Sequence, residues 1–596
     1  MSEQTQQAAL DALAYQRAQL QAQEAHLAQQ VAPSSPSTAS LGSPVNPSTP
    51  ARSSMGAAAA NGSPLATSNP FATSAGPQSP TIPRKDPKRA SIAAGAGFNP
   101  LEAAASGAQN TRYAPGGKVR LTDYATIANA PLPAEGNGTF NNLHLGLLVF
   151  FTPAILLRVI PFFKASWVPW WLYWILVIVI GAPVTIGYWT FMSIYGPRKN
   201  EKVNLPGKPV EEYITIHDAE LKRKYHGRNK IPMQPFHDAY FDGKIDIKGD
   251  MLDLLEHRLD WSHMHFTPEL FKFVFTVLVP DVIRHTEKQD MEQVRDHYDR
   301  GDDFYEWFLG PQMIYTSGMI SDPRRKETLE ELQDNKMAAV CNKLQLQPSD
   351  KVLDIGCGWG TLTAFAAKNF GCDVTGVTLA KNQTKFGNER IAKAGLSSDK
   401  ARVLCMDYRD IPVEKGYYNK IVSLEMAEHV GIRHYSKFLA DIHERLDDDG
   451  TFLLQVAGLR PTWQYWDLIW GLFMNKYIFR GADASCAIGW VINKLEAAGF
   501  EVQSADVLGV HYSATILRWY ENWKSNEAKI KAKYGEKLWR IWLYFLASSV
   551  IIAREGGSSV FQITSKKNLN ATDRVSFWEG RIQPSKYQSV YTPAQY

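Results

Sequence analysis

Val352-Leu353-Asp354-Ile355-Gly356-Cys357-Gly358-Trp359-Gly360 is an apolar run that breaks into three alternating glycines. Glycine at 356, 358 and 360 removes three Cβ atoms from the turn after a buried strand. Backbone amides can then approach a ligand, and left-handed φ values cost little. Asp354 can meet a ligand ammonium or order the loop. Three glycines alone also fit an ordinary strand-turn-helix junction, so the flanking sequence decides. The strand at 351–355 leads into a helical pattern over 360–370, and Asp373-Val374-Thr375-Gly376-Val377-Thr378 reads as a second parallel strand. Arg402–Met406, Lys420–Leu424 and Thr451–Gln455 read as a third, fourth and fifth. Strands alternating with helices predict a doubly wound α/β sheet with its ligand at the carboxyl ends of the strands. The spacing is not that of a dinucleotide loop, and no acid ends the second strand to hold a ribose. The expected cofactor is S-adenosylmethionine.

At 596 residues the chain exceeds one core. Its net charge of +4 is too small, and its basic residues too dispersed, to argue for nucleic acid. Cys341, Cys357, Cys372, Cys405 and Cys486 form no CxxC pair, which favours free thiols in a reducing compartment and gives no metal site. Residues 1–115 are rich in Ala, Ser, Pro, Gly and Gln and nearly free of aromatics, so a disordered tail is expected. Arg84–Arg89 is read as a solvated basic patch.

The apolar runs Leu143–Phe163 and Trp167 to about Tyr195, separated by Lys164-Ala165-Ser166, are each long enough to cross a bilayer. They predict a transmembrane hairpin over 143–195, with an aromatic belt at Trp167, Trp170, Trp171, Tyr173 and Trp174. Arg198, Lys199 and Lys202 follow the second span, which puts both termini in the cytosol. A membrane-proximal connecting region is expected over 200–290, the cofactor domain over 291–570, and a C-terminal tail over 571–596. The run Leu270–Ile283 is too short to span and is read as a core helix in preference to an interfacial one. The aromatic segment Trp463–Phe479 is either an acyl-binding wall or plain core.

From about Asp296 to Thr564 the chain resembles the cyclopropane fatty acid synthase family of methyltransferases. The carrying residues are His297–Tyr305 with Met313-Ile314-Tyr315-Thr316, the loop Val352–Gly360, Thr378-Leu379-Ala380-Lys381-Asn382-Gln383, and Tyr408-Arg409. The hairpin and the stretch Phe236–Gly243 more closely resemble the fungal sphingolipid C-9 methyltransferases. The resemblance implies a class I methyltransferase domain in which Tyr315 and Thr316 hold the methionine carboxylate. It places the 378–383 stretch beside the ribose and Tyr408-Arg409 beside the adenine. It also implies that Glu428, Cys341 and Tyr512 stand where related synthases hold a bicarbonate base, with Gln455 in place of a histidine, which puts bicarbonate in doubt. Ser549 stands where that family has a C-terminal cysteine. The implied reaction is methylation of carbon 9 in the 4,8-unsaturated sphingoid base of a ceramide or glucosylceramide, with Glu428 as base. The alternatives are a cyclopropane fatty acyl phospholipid synthase and an inactive membrane scaffold.

Overall fold

The computed structural model describes residues 111–113, 120–122, 124–127, 136–159, 168–200, 205–280, 300–412, 414–479 and 486–575. The tail to residue 110, the basic cluster, the turn 164–166, Trp167, His297-Tyr298-Asp299 and residues 576–596 lie outside them.

Two apolar helices open the described fold, α1 (Asn142–Val159) and α2 (Trp170–Tyr195). Both are long and apolar enough to cross a membrane, and only 6% and 11% of their apolar windows are buried. Apolar side chains such as Phe151, Ile155, Ile178, Val179 and Phe191 point outward, the surface expected of helices that face lipid rather than a protein core. The two helices pack where Gly181 meets Val149: a Cβ on Gly181 would stand 2.8 Å from Val149 Cγ1. Pro153 and Pro183 lie inside them without ending either helix. The segments that enter and leave this pair are pinned together, Asn137 opposite Lys199 and Gly138 opposite Arg198.

The run after Leu270 departs from the expected core helix. It forms Pro268–Phe273 followed by a π-helical turn, Val274–Leu278, and Phe275 is 60% exposed. Leu270 is buried and Phe271 packs against the core, while the π-helical turn buries none of its side chains.

The C-terminal half is one seven-stranded sheet. Its strands are β1 (Lys351–Ile355), β2 (Asp373–Thr378), β3 (Ala401–Cys405), β4 (Tyr418–Leu424), β5 (Leu446–Leu459), β6 (Phe500–Val507) and β7 (Ser558–Lys567). Their spatial order is β3-β2-β1-β4-β5-β7-β6, parallel from β3 to β5, with β7 antiparallel to both β5 and β6. The central strands read Val-Leu-Asp-Ile and Ile-Val-Ser-Leu because both of their faces are covered. Chain order reverses between β1 and β4, so a crevice opens beyond the carboxyl ends of these two strands. Helices α3 (Leu329–Leu344), α4 (Thr361–Phe370), α5 (Lys381–Lys393) and α6 (Tyr435–Arg445) belong to the parallel half. Helices α7 (Tyr465–Tyr477), α8 (Gly509–Ser525) and α9 (Glu536–Arg554) build an aromatic core over the crevice.

Candidate active site

The glycine turn behaves as its composition demands. Gly356, Gly358 and Gly360 all have positive φ, at 77°, 54° and 71°. A Cβ on Gly360 would meet Val403 at 2.9 Å, and one on Gly356 would meet Met426 at 2.7 Å. A Cβ on Gly358 would meet nothing in the protein within 4 Å. Two of the glycines therefore serve packing, and Gly358 keeps open the space where a ligand lies.

That space is a cavity of about 1170 Å³, mouth included, ample for a nucleoside-sized ligand. Of the expected cofactor residues, Tyr315, Thr316, Asp354, Ile355, Gly356, Cys357, Gly358, Trp359, Thr378, Leu379, Gln383, Tyr408 and Arg409 line it. Val352 and Leu353 are buried within β1, and Gly360 closes the turn against Val403. Ala380 is buried at the start of α5, while Lys381 and Asn382 face solvent.

The polar groups suit a zwitterion. Lys336, buried on α3, donates to Thr316 Oγ1 at 2.9 Å, and burial pulls its pKa down to about 8. Asp354 accepts from Thr363 at 3.0 Å, and burial pushes its carboxyl up to about 6. Both are charged at neutral pH, one of each sign. S-adenosylmethionine fits this set: Lys336, Tyr315 and Thr316 would hold its carboxylate and Asp354 its ammonium. Thr378, Leu379 and Gln383 would flank the ribose, and Tyr408 and Arg409 the adenine.

A second cavity, of about 810 Å³, shares Tyr315, Glu425 and His429 with the first. Its remaining wall is mostly apolar and aromatic, with Trp470, Met474, Phe479, Trp519 and Phe545. On helix α7, Ile469 and Phe473 are core, while Trp470 and Met474 line this chamber. Glu428 and Tyr512 line it as well.

The structure separates two neighbouring carboxylates. Glu425 follows β4 with a left-handed φ of 54°, a conformation that disfavours a side chain by roughly 1–2 kcal/mol and marks a constrained position. Its Oε1 accepts from the Ser317 amide at 2.8 Å and from Gln455 Nε2 at 2.6 Å, and Tyr512 hydrogen-bonds the same carboxylate. Burial raises its pKa, against the pull of these donors and of Lys336. Glu428 accepts one hydrogen bond, from the Ala457 amide, and its Oε2 is buried with no partner. Burial first, and the Glu425 charge second, push its carboxyl up to about 8. Burial raises both carboxyls, but Glu425 is held by three donors and Glu428 by one, so their surroundings differ. Burial holds the third shared-wall group, His429, near 4 and therefore neutral.

Gln455 thus meets Glu425 rather than Glu428, and its own Oε1 accepts from Gln562 at 2.8 Å. Cys341 lies on α3 in the apolar layer with Val340 and Leu344, outside the lining of both cavities, and burial pushes its thiol up to about 12. Ser549 lines the second cavity. Glu425, Lys336, His429 and Ser317 were not singled out from the sequence. Two signals were available: carboxylates three residues apart just after a strand, and a lysine on the apolar stripe Leu329-Leu332-Gln333-Lys336-Met337-Val340.

Residues 285–563 match the mycolic acid cyclopropane synthetase family. The sphingolipid C9-methyltransferase 2 of Gibberella zeae is 53% identical over 469 residues, covering 77% of this chain and 87% of the relative. The sphingolipid C9-methyltransferase of Komagataella phaffii is also 53% identical, covering 77% and 94%. Among solved structures, a cyclopropane synthase from Mycobacterium tuberculosis is similar at 28% identity and a TM-score of 0.44, covering 46% of this chain and 98% of that one. With over half of the aligned positions shared across most of both chains, this protein belongs to the sphingolipid C9-methyltransferase family of S-adenosylmethionine-dependent methyltransferases.

Proposed function

We propose that this enzyme methylates carbon 9 of the 4,8-unsaturated sphingoid base of a ceramide or glucosylceramide, giving 9-methyl-4,8-sphingadienine. The hairpin would anchor it in the endoplasmic reticulum membrane with both termini in the cytosol. The observation that carries the reading is the pair of chambers with a common wall: a polar one suited to the cofactor, and an aromatic one lined by Glu428, whose Oε2 is buried without a partner.

Bound S-adenosylmethionine supplies an electrophilic methyl group. The chain's own residues do the rest. The aromatic chamber excludes water and aligns a weakly nucleophilic alkene, and its ring faces tolerate positive charge on carbon. Once carbon 9 carries the added methyl, carbon 8 is electron-deficient. Glu428 then takes the proton from carbon 9, and the electron pair of that C–H bond restores the double bond. Its elevated pKa suits a general base working near neutral pH. Gln455, which stands where the related synthases have a histidine, and Tyr512 both hydrogen-bond Glu425, so a carboxylate of the chain itself would take the anion's place.

Incubating the purified full-length protein with labelled cofactor and a 4,8-diene ceramide tests the reaction: the label is expected on carbon 9. Glu428→Gln is expected to keep cofactor affinity and lose turnover by ~10²-fold or more, as for a lost general base. Near-normal turnover in that variant removes Glu428 from this role.

A further inference from the structure

The base of the hairpin holds a third cavity that the reaction as described leaves unused. It lies where the paired segments Asn137–Gly138 and Arg198–Lys199 meet the start of α7, and Arg198, Arg460, Tyr465, Trp466 and Glu555 line it. Two of its polar groups are neutral donors that bond nothing else among the described residues. The Tyr465 hydroxyl and the Trp466 Nε1 are buried without a hydrogen-bond partner, and Trp466 is only 5% exposed. Unpaired buried donors cost roughly 1–3 kcal/mol each, which a ligand hydroxyl or carbonyl would recover. The charges on this wall are largely committed already. Arg460 forms a two-bond pair with Asp467 at 2.7 and 2.9 Å, and Glu555 takes Arg258 at 2.9 Å. Arg198 holds the Gly136 carbonyl.

Residues common to neighbouring linings place this cavity in line with the chemistry. Arg460 also lines an apolar cavity formed with Leu459, Val510 and Phe561, and Ala553 is common to that cavity and to the chamber of Glu428. Helix α7 supplies the ruler. Trp466 stands at the polar cavity, and Trp470 and Met474 stand at the reaction chamber, ~6 and ~12 Å further along at 1.5 Å per residue. That interval is of the order of the extended length from the head of a long-chain base to the middle of its chain.

Resting on the reaction proposed above, we infer that the cavity beneath the hairpin is a headgroup subsite. It takes the uncharged hydroxyl and amide head of a ceramide, and its distance from Glu428 selects which double bond is methylated. A phosphate-headed lipid is discriminated against by the same wall. The head is thus held at the membrane junction while the chain runs inward toward the cofactor.

The test uses full-length protein in phosphatidylcholine vesicles, with labelled cofactor and two substrates carrying the same 4,8-diene base: the ceramide and its 1-phosphate. Tyr465→Phe and Trp466→Phe each remove one donor and keep the ring volume or most of it. Each is expected to raise the KM for ceramide about two- to tenfold, the effect of one neutral hydrogen bond, with kcat and the KM for cofactor within twofold. The 1-phosphate is expected to be turned over less efficiently than ceramide by the wild-type protein. Ceramide labelling by the wild type with unchanged KM in both variants overturns the subsite alone. Equal use of the two lipids does the same, as does a parallel loss of kcat and cofactor affinity. Failure of the wild type to label either lipid overturns the proposed reaction and the subsite with it.

Discussion

Replacing Glu425 with glutamine keeps the shape and the acceptor oxygen that Ser317 and Gln455 use, and removes one buried negative charge. Its consequence is calculable because β5 holds both acids. Gln455 bonds Glu425, and the Ala457 amide bonds Glu428. Both acids line the same chamber, and their separation is taken as on the order of 7 Å for a Coulomb estimate. At an effective dielectric near 20, two unit charges at that separation interact by about 2 kcal/mol, or between one and two pKa units. The sign is definite. Glu425 destabilises the ionised form of Glu428, so its removal lowers the Glu428 pKa from its value of about 8. The activity of a base rises as pH rises through its pKa. The acid limb of kcat/KM against pH is therefore expected to move down by one to two units in Glu425→Gln. The assay is label transfer from the cofactor to ceramide over pH 5.5 to about 9.5 in vesicles, with cofactor binding measured at each pH. An acid limb that stays where it is in the wild type refutes the coupling, and one that moves upward refutes the assignment of Glu425 as the ionised partner.

Four further outcomes are expected from the same geometry. Gly358→Ala is expected to weaken cofactor binding at least about tenfold while lowering stability by only the ~1–2 kcal/mol of a left-handed φ, because its Cβ meets no protein atom. Gly360→Ala is expected to unfold the domain at lower temperature through Val403 and Gly387, and calorimetry with a binding titration separates the two. Lys336→Met is expected to raise the cofactor Kd by about 10- to 100-fold, the worth of a hydrogen bond to a charged group, with an unchanged Kd counting against its place at the carboxylate. Turnover is expected to be the same in carbonate-depleted and bicarbonate-supplemented buffer, since Glu425 occupies the donors that a bound anion would need; a strong dependence on bicarbonate contradicts that arrangement.

Much of the fold could be read from local pattern. The second strand was expected at Asp373–Thr378 and is found there, and the first at Lys351–Ile355 likewise, since apolar runs cut by glycines leave few alternatives. The two apolar helices were legible from length and hydropathy alone. The strands β6 and β7 were not. They follow one another by antiparallel pairing across a long helical insertion, and nothing in their own sequence specifies that partnership. The core reading of Leu270–Ile283 holds for Leu270 and for Phe271 packed beside it but not for the exposed Phe275 and Val279, and residues 281–283 lie outside the described residues; an apolar run states that water is avoided, but not whether protein or another phase replaces it.

The sequence by itself determined the cofactor loop, the parallel half of the sheet and the apolar pair of helices, because each is written in spacing over a few residues. Only the tertiary structure decided which carboxylate meets Gln455, that Cys341 belongs to the apolar layer and that Lys336 reaches Thr316. These are contacts between different elements, fixed by strand register and helix rotation. A change of one residue in the strand register would turn Gln455 to the other face of β5 and deprive Glu425 of one of its three donors.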